Sequence, residues 1–226
     1  ELHTNFELDA GGECLALVAP DGKTVISVYT PSFPRQFTDV SYGHALNKGP
    51  ANRPVYFLSP TPGKANTAGD SIITSVTHRP RQPKPTDDII VEAVIEHPTS
   101  TKTSSAQLHH LVGYGKESSL KMTDDGKGAD RSANDGTWTT VIPRNTASLN
   151  QMIRWRVTAF ATPNKSLRSP LYLNSNNSPR YFGTVIENPA LTSRAPIYHW
   201  FISNPSRART SSGTRCCLYF GDRLYD

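Results

Sequence analysis

Between Lys121 and Pro143 the chain reads Lys-Met-Thr-Asp-Asp-Gly-Lys-Gly-Ala-Asp-Arg-Ser-Ala-Asn-Asp-Gly-Thr-Trp-Thr-Thr-Val-Ile-Pro. Four acids, Asp124, Asp125, Asp130 and Asp135, stand among Gly126, Gly128 and Gly136. Calcium takes six to eight oxygen ligands, which carboxylates and the carbonyls of a Gly-rich loop can supply. These four aspartates are therefore the candidate metal ligands, with Ca²⁺ as the candidate cofactor. The spacing departs from the EF-hand loop, where acids fall at every second position. The same residues also favour tight turns, because Gly takes positive φ and Asp bonds its own backbone. Both readings, ion loop and turn scaffold, stand at this point.

No other stretch carries a reactive constellation. His109 and His110 are adjacent, so on a strand they point to opposite faces and cannot chelate together. His199 has no acid placed beside it by the sequence. There is no Gly-x-Ser-x-Gly elbow and no His-Glu-x-x-His pair. Gly113-Tyr-Gly-Lys116 lacks the remainder of a phosphate loop. The expectation is a chain that is not an enzyme. Trp138, Trp155 and Tyr114 are candidates for a sugar-stacking platform, although a sandwich core also takes such rings.

The totals bound the class. With 226 residues there is room for one or two ordinary domains, and 36% apolar residues with 18 prolines favours short strands and long loops over helices. The net charge of +5 suits an acidic partner. Apart from Arg79-Pro80-Arg81 and Arg207–Arg209 the basic residues are scattered, so no nucleic-acid partner is expected. No apolar run is long enough to span a bilayer. Three cysteines, Cys14, Cys216 and Cys217, form no disulfide framework and are expected as small buried residues.

Turn residues divide the chain into short strands. Glu13–Val18 and Thr24–Tyr29 flank Pro20-Asp-Gly22 and should fold back antiparallel. Residues 31–54 read as a polar loop, followed by a strand at Val55–Leu58. Ser59–Gly69, rich in Pro, Gly and small residues, reads as a linker. Seven strands then follow at sandwich spacing: Ile72–Thr77, Ile89–Ile95, Ala106–Tyr114, Ser119–Met122, Thr137–Ile142, Met152–Ala161 and Leu171–Leu173. In Arg154–Phe160, Trp155, Val157 and Ala159 share one face, and Arg154, Arg156, Thr158 and Phe160 the other. Beyond Gly183, Ile197–Ile202 and Thr214–Phe220 are apolar strands, with a hairpin return at Gly221–Tyr225.

These motifs carry a resemblance. Residues 6–67 resemble the C-terminal half of a lamin tail domain, through Phe6–Leu17, Pro20-Asp-Gly22, Asp39-Val-Ser-Tyr-Gly43 and Pro60–Asn66. Residues 70–175 resemble the immunoglobulin-like module that follows in large bacterial secreted proteins, through Asp124-Asp-Gly126, Gly128-Ala-Asp130, Asp135-Gly136 and Gln151–Thr158. Thr162-Pro-Asn-Lys165 departs from that pattern. Residues 178–226 resemble the entry to a CotH (spore-coat-H-like) kinase-fold domain, through Ser178–Gly183, Pro196–Phe201, Gly213-Thr-Arg215 and Leu224-Tyr-Asp226. The kinase-like family's nucleotide and metal residues would lie beyond Asp226.

The expected architecture is all-β: tandem β-sandwich modules with an immunoglobulin or fibronectin-III-like centre and incomplete flanking domains. The divisions are 1–67, 70–183 and 184–226. Residue 1 reads as mid-domain, so the chain is expected to be a fragment, and trimming to about 70–183 is expected to improve solubility. The resemblance implies a non-catalytic structural or interaction module of a secreted or cell-surface bacterial protein, positioning a CotH-like domain. Its partners would be domains of the same polypeptide, with protein or glycan ligands at the cell surface. The alternatives are a carbohydrate-binding or adhesion module, and the non-catalytic part of a CotH-type kinase.

Overall fold

A computed structural model describes residues 6–45, 54–98, 102–162, 165–172 and 178–225. The chain is all-β, and its only helical turn among these residues is a single 3-10 turn at Arg207–Arg209. It divides into two compact units, Glu1–Asp70 and Ser71–Asp226.

The first unit holds two hairpins. β1 (Leu15–Val18) pairs β2 (Val25–Tyr29), and β3 (Ser41–His44) pairs β4 (Pro54–Phe57). The β1–β2 turn forms as Pro-Asp-Gly predicts: Thr24 Oγ1 donates to Asp21 Oδ2, Thr24 N and Lys23 N both donate to Asp21 Oδ1, and these bonds, the hydroxyl's first, hold the carboxyl down at about 2. β3 lies inside the stretch read from sequence as loop. Its pairing rests on aromatic packing, with the Tyr42 and Tyr56 rings 4.9 Å apart, and on Asn66 Nδ2 donating to the His44 carbonyl. Phe33, Val40, Val55, Tyr56 and Phe57 form this unit's small core.

The second unit opens with a sandwich. One sheet has the order β5-β6-β9, made of Ile72–Arg79, Ile89–Glu96 and Thr137–Ile142. The other runs β11-β10-β7-β8, made of Lys165–Ser169, Met152–Thr162, Ser105–Val112 and Ser118–Met122. β12 (Phe182–Val185) pairs the first half of β10, on the edge that β11 occupies further along. Period-2 alternation supplies the core: Ile89, Val91, Ala93 and Ile95 of β6 face Leu108, Trp155, Val157 and Ala159. Burying each aliphatic chain of this kind contributes about 1.5–3 kcal/mol.

Three expectations change here. The last sandwich strand forms at Lys165–Ser169 and not at Leu171–Leu173. Leu171 and Tyr172 are not in a strand, and Leu173 lies outside the described residues. The departure at 162–165 also falls partly there, at residues 163 and 164. The division expected after residue 183 cuts β12, and Ile186 beyond it belongs to the sandwich core. A piece ending at 183 loses core residues, which argues against the expected gain in solubility.

The unit closes with a three-stranded sheet, β13 (His199–Ile202), β14 (Cys216–Phe220) and β15 (Arg223–Tyr225). Gly221 and Asp222 both take positive φ, 57° and 60°, as a tight two-residue hairpin turn requires.

Candidate functional site

The Asp-Gly loop links β8 to β9. Its base is an antiparallel bridge in which Thr123 and Thr139 exchange both backbone hydrogen bonds. From there each carboxylate turns toward backbone amides. Asp124 Oδ1 accepts from Asp135 N and its Oδ2 from Gly136 N, both at 3.1 Å. Asp130, buried, accepts from Gly126 N at 2.6 Å. Asp125 accepts from Lys127 N, and Asp135 from Thr137 N. Gly126 is required on two counts: its φ is +69°, and an added Cβ would meet Ala133 N at 2.9 Å. Arg79 Nη2 fastens the loop from outside, bonding the Ala129 carbonyl and the Glu92 carboxylate.

The four aspartates thus share one loop but do not converge. Among the described residues no three acidic, His or Cys side chains come together as a metal set. The arrangement is that of a self-capped turn, with the acids satisfying amides that the loop would otherwise strand.

The other candidates separate as the strand period dictates. His110 faces the sandwich interior and His109 the outside, where its ring meets Thr158 and Ser119 hydroxyls. Burial holds both below the usual histidine value. Trp155 is 1% exposed in the core, against the edge of His78, and Trp138 packs partly on the same core. Tyr114 OH donates to the Phe201 carbonyl at 2.8 Å and lies 3.3 Å from Cys217 Sγ. The three rings therefore do not form an open sugar platform.

Tyr114 belongs to a junction that the sequence did not disclose. Arg154, placed by the alternation on the face opposite Trp155, is 3% exposed. Its Nε and Nη2 donate to the Gly113 carbonyl, its Nη1 reaches Cys217 Sγ at 3.6 Å, and its guanidinium lies over Tyr114 and Tyr181 at 4.5 and 4.9 Å. Three further ties run beside it. Arg81 Nε pairs with Asp222 Oδ2 at 2.8 Å, Gln82 Nε2 donates to Asp222 Oδ1 at 2.9 Å, and Tyr219 OH meets Thr184 Oγ1. Gly183 sits where β15 approaches β12: a Cβ there would lie 2.7 Å from both Ile153 O and Leu224 Cδ2. The β13–β15 sheet is thus seated on the sandwich. A cavity of about 510 Å³ between them is lined by Gln82, Glu187, His199, Tyr219 and Asp222 among others.

The cysteines follow the same division. All three are free, but only Cys217 is buried, whereas Cys14 and Cys216 are exposed. The alternation of adjacent strand residues explains the difference at 216 and 217.

Two sheets of this order, closed over one core, decide the class. The central module is an immunoglobulin-like sandwich. Residues 72–150 match the family model described as the conditioned medium factor 2nd Ig-like domain. That match covers β5 through β9 and stops before β10. No curated protein matches the chain closely enough to count as a relative. Among the described residues no helix is long and apolar enough to cross a membrane.

Proposed function

We propose that this chain is a non-catalytic structural and interaction module of a larger secreted or cell-surface bacterial protein. In this reading the sandwich holds the β13–β15 sheet, the start of a CotH-like domain, in a fixed pose. The first unit is then part of a lamin-tail-like domain, and the partners are domains of the same polypeptide. The observation that carries the reading is the buried Arg154. A guanidinium enclosed on five donors is costly unless every neighbour is held in place. Here its neighbours come from the turn after β7, from β14 and from the segment before β12, so in this reading the sheet and the sandwich are fixed together.

Support for a non-catalytic role comes from the side chains themselves. The acids of the Asp-Gly loop are spent on backbone amides, and the adjacent histidines diverge. Hydrogen exchange read by mass spectrometry tests the fixed pose: amides of β14 and β10 should open in one cooperative step. Incubation of the chain with Mg²⁺ and ATP should release no phosphate above buffer. Separate opening of β14, or turnover that scales with protein, would overturn the reading.

A further inference from the structure

We infer that the cavity between the sandwich and the β13–β15 sheet binds an organic ammonium ion carried on an aliphatic stem, with the Glu187 carboxylate taking the charge. This goes beyond the structural role, and it rests on the seating of that sheet on the sandwich.

Glu187 stands just past β12, where the chain leaves the sandwich. Its backbone is fixed there. Glu187 N donates to the Pro83 carbonyl at 2.7 Å, and Ile186 N, in the core, donates to that of Gln151 at 2.9 Å. The chain then turns: Asn188 Oδ1 accepts from Ala190 N, and the Asn188 carbonyl from Leu191 N. That turn brings Leu191 into the cavity lining. The sheet contributes its Gly221-Asp222 turn, which Arg81 and Gln82 hold through the Asp222 carboxylate. Both contributions are set before a ligand arrives, which lowers the ordering cost of binding.

Charge selects the ligand class. Glu187 and Asp222 both line the cavity, and among the described residues no Lys or Arg does. Asp222 is already answered, with Arg81 Nε 2.8 Å from Oδ2 and Gln82 Nε2 2.9 Å from Oδ1. Glu187 is not: no described residue makes an ion pair or hydrogen bond with its carboxylate. In a chain of net charge +5, a lining of this sign draws a cation. A carboxylate and an ammonium form the strong, charge-assisted kind of hydrogen bond. Tyr219 and Phe220 bring rings to the same lining, and ring faces attract organic cations. A metal ion is the poorer fit, because among the described residues no three acidic, His or Cys side chains converge.

Much of the remaining lining is aliphatic. Leu191 and Ile197 keep 48% and 37% of their surface open, and Val185 and Pro189 lie beside them in the lining. Apolar surface next to an unanswered carboxylate suits a ligand that is apolar for several carbons and charged at its tip, the form of a lysine side chain. The volume of about 510 Å³ lies in the range of small-ligand pockets. Such a tip occurs on a free alkylamine and on a lysine of a peptide.

Amide NMR titration of the whole chain at about pH 7.5 tests the assignment with n-hexylamine, n-hexanol, hexanoate and Nα-acetyl-lysine methylamide. Hexylamine, protonated at this pH, should shift the amides of Glu187, Asn188, Leu191, Gly221 and Asp222 and saturate in the range of about 1–5 mM. Hexanol and hexanoate should each bind at least roughly tenfold more weakly, because neither brings a charged donor. Tighter binding of the lysine amide than of hexylamine assigns the site to a peptide, and the reverse order to a free amine; either order supports the site. Glu187→Gln should weaken hexylamine roughly tenfold and leave hexanol unchanged, a split that loss of fold does not give. No saturable shift of these amides up to about 20 mM hexylamine, equal binding of hexanol or hexanoate, or unchanged affinity in Glu187→Gln would overturn the proposal. Thiol labelling of the same sample tells the two failures apart. With Cys217 protected, the ammonium site alone fails; with Cys217 labelled as fast as Cys216, the seated sheet fails with it.

Discussion

Arg154 Nη1 lies 3.6 Å from Cys217 Sγ, across a sequence separation of 63 residues. One is in the central strand of an immunoglobulin-like sandwich, the other in the middle strand of the sheet seated on it. Because Arg154 also caps the Gly113 carbonyl, its removal takes both donors from a partly buried acceptor and opens a cavity. Arg154→Ala should cost about 3 kcal/mol in urea unfolding, and Arg154→Lys nearly as much, since one ammonium cannot replace the fork. A loss below about 1 kcal/mol in both would show that the junction carries little.

Gly183 gives an orthogonal probe of the same contact. Gly183→Ala forces a methyl against the Ile153 carbonyl and the Leu224 side chain. The expected cost is about 1–3 kcal/mol. Leu224→Ala in the same background should recover part of it, because one of the two clashes disappears. No recovery would mean that β15 does not press on β12.

The Asp-Gly loop makes its own prediction. Asp124→Ala deletes the acceptor for the Asp135 and Gly136 amides and should cost about 1–2 kcal/mol, equally with and without calcium. A rise in melting temperature with millimolar Ca²⁺ that Asp130→Asn abolishes would restore the ion-loop reading.

Acid should weaken the second unit. Burial is the leading cause that holds His78, His97, His109 and His110 below the ordinary 6.5. Below 6.5 the unfolded chain therefore takes up protons that the folded chain refuses, and stability falls with pH. Above that value both states are neutral and the effect vanishes. The urea midpoint should drop between about pH 7 and pH 5 and stay level between about pH 7 and pH 8.5. A midpoint that rises on acidification would contradict this.

Much of the sandwich is legible in the sequence because its strands alternate cleanly. Ile89–Ile95 and Thr137–Ile142 appear where β-branched runs and turn residues place them, and Trp155, Val157 and Ala159 face the core as the period requires. Legibility ends where tertiary contact overrides local pattern. Ser41–His44 carries no apolar run, yet Tyr42 finds Tyr56 and a strand forms. Arg154 keeps the face opposite Trp155 that the alternation gives it, but a second sheet covers that face, which no local signal announces. The aspartates were visible as a group, whereas the direction of each carboxylate depends on turns that composition does not specify.

Native thiol labelling followed by mass spectrometry tests the seating of the β13–β15 sheet most directly. Cys14 and Cys216 are exposed and should label within the mixing time of the reagent, while Cys217 should label only at urea concentrations that unfold the sandwich. Labelling of Cys217 at the rate of Cys216, while β10 amides remain protected from exchange, would show that the sheet is not held and would contradict the structural role proposed here.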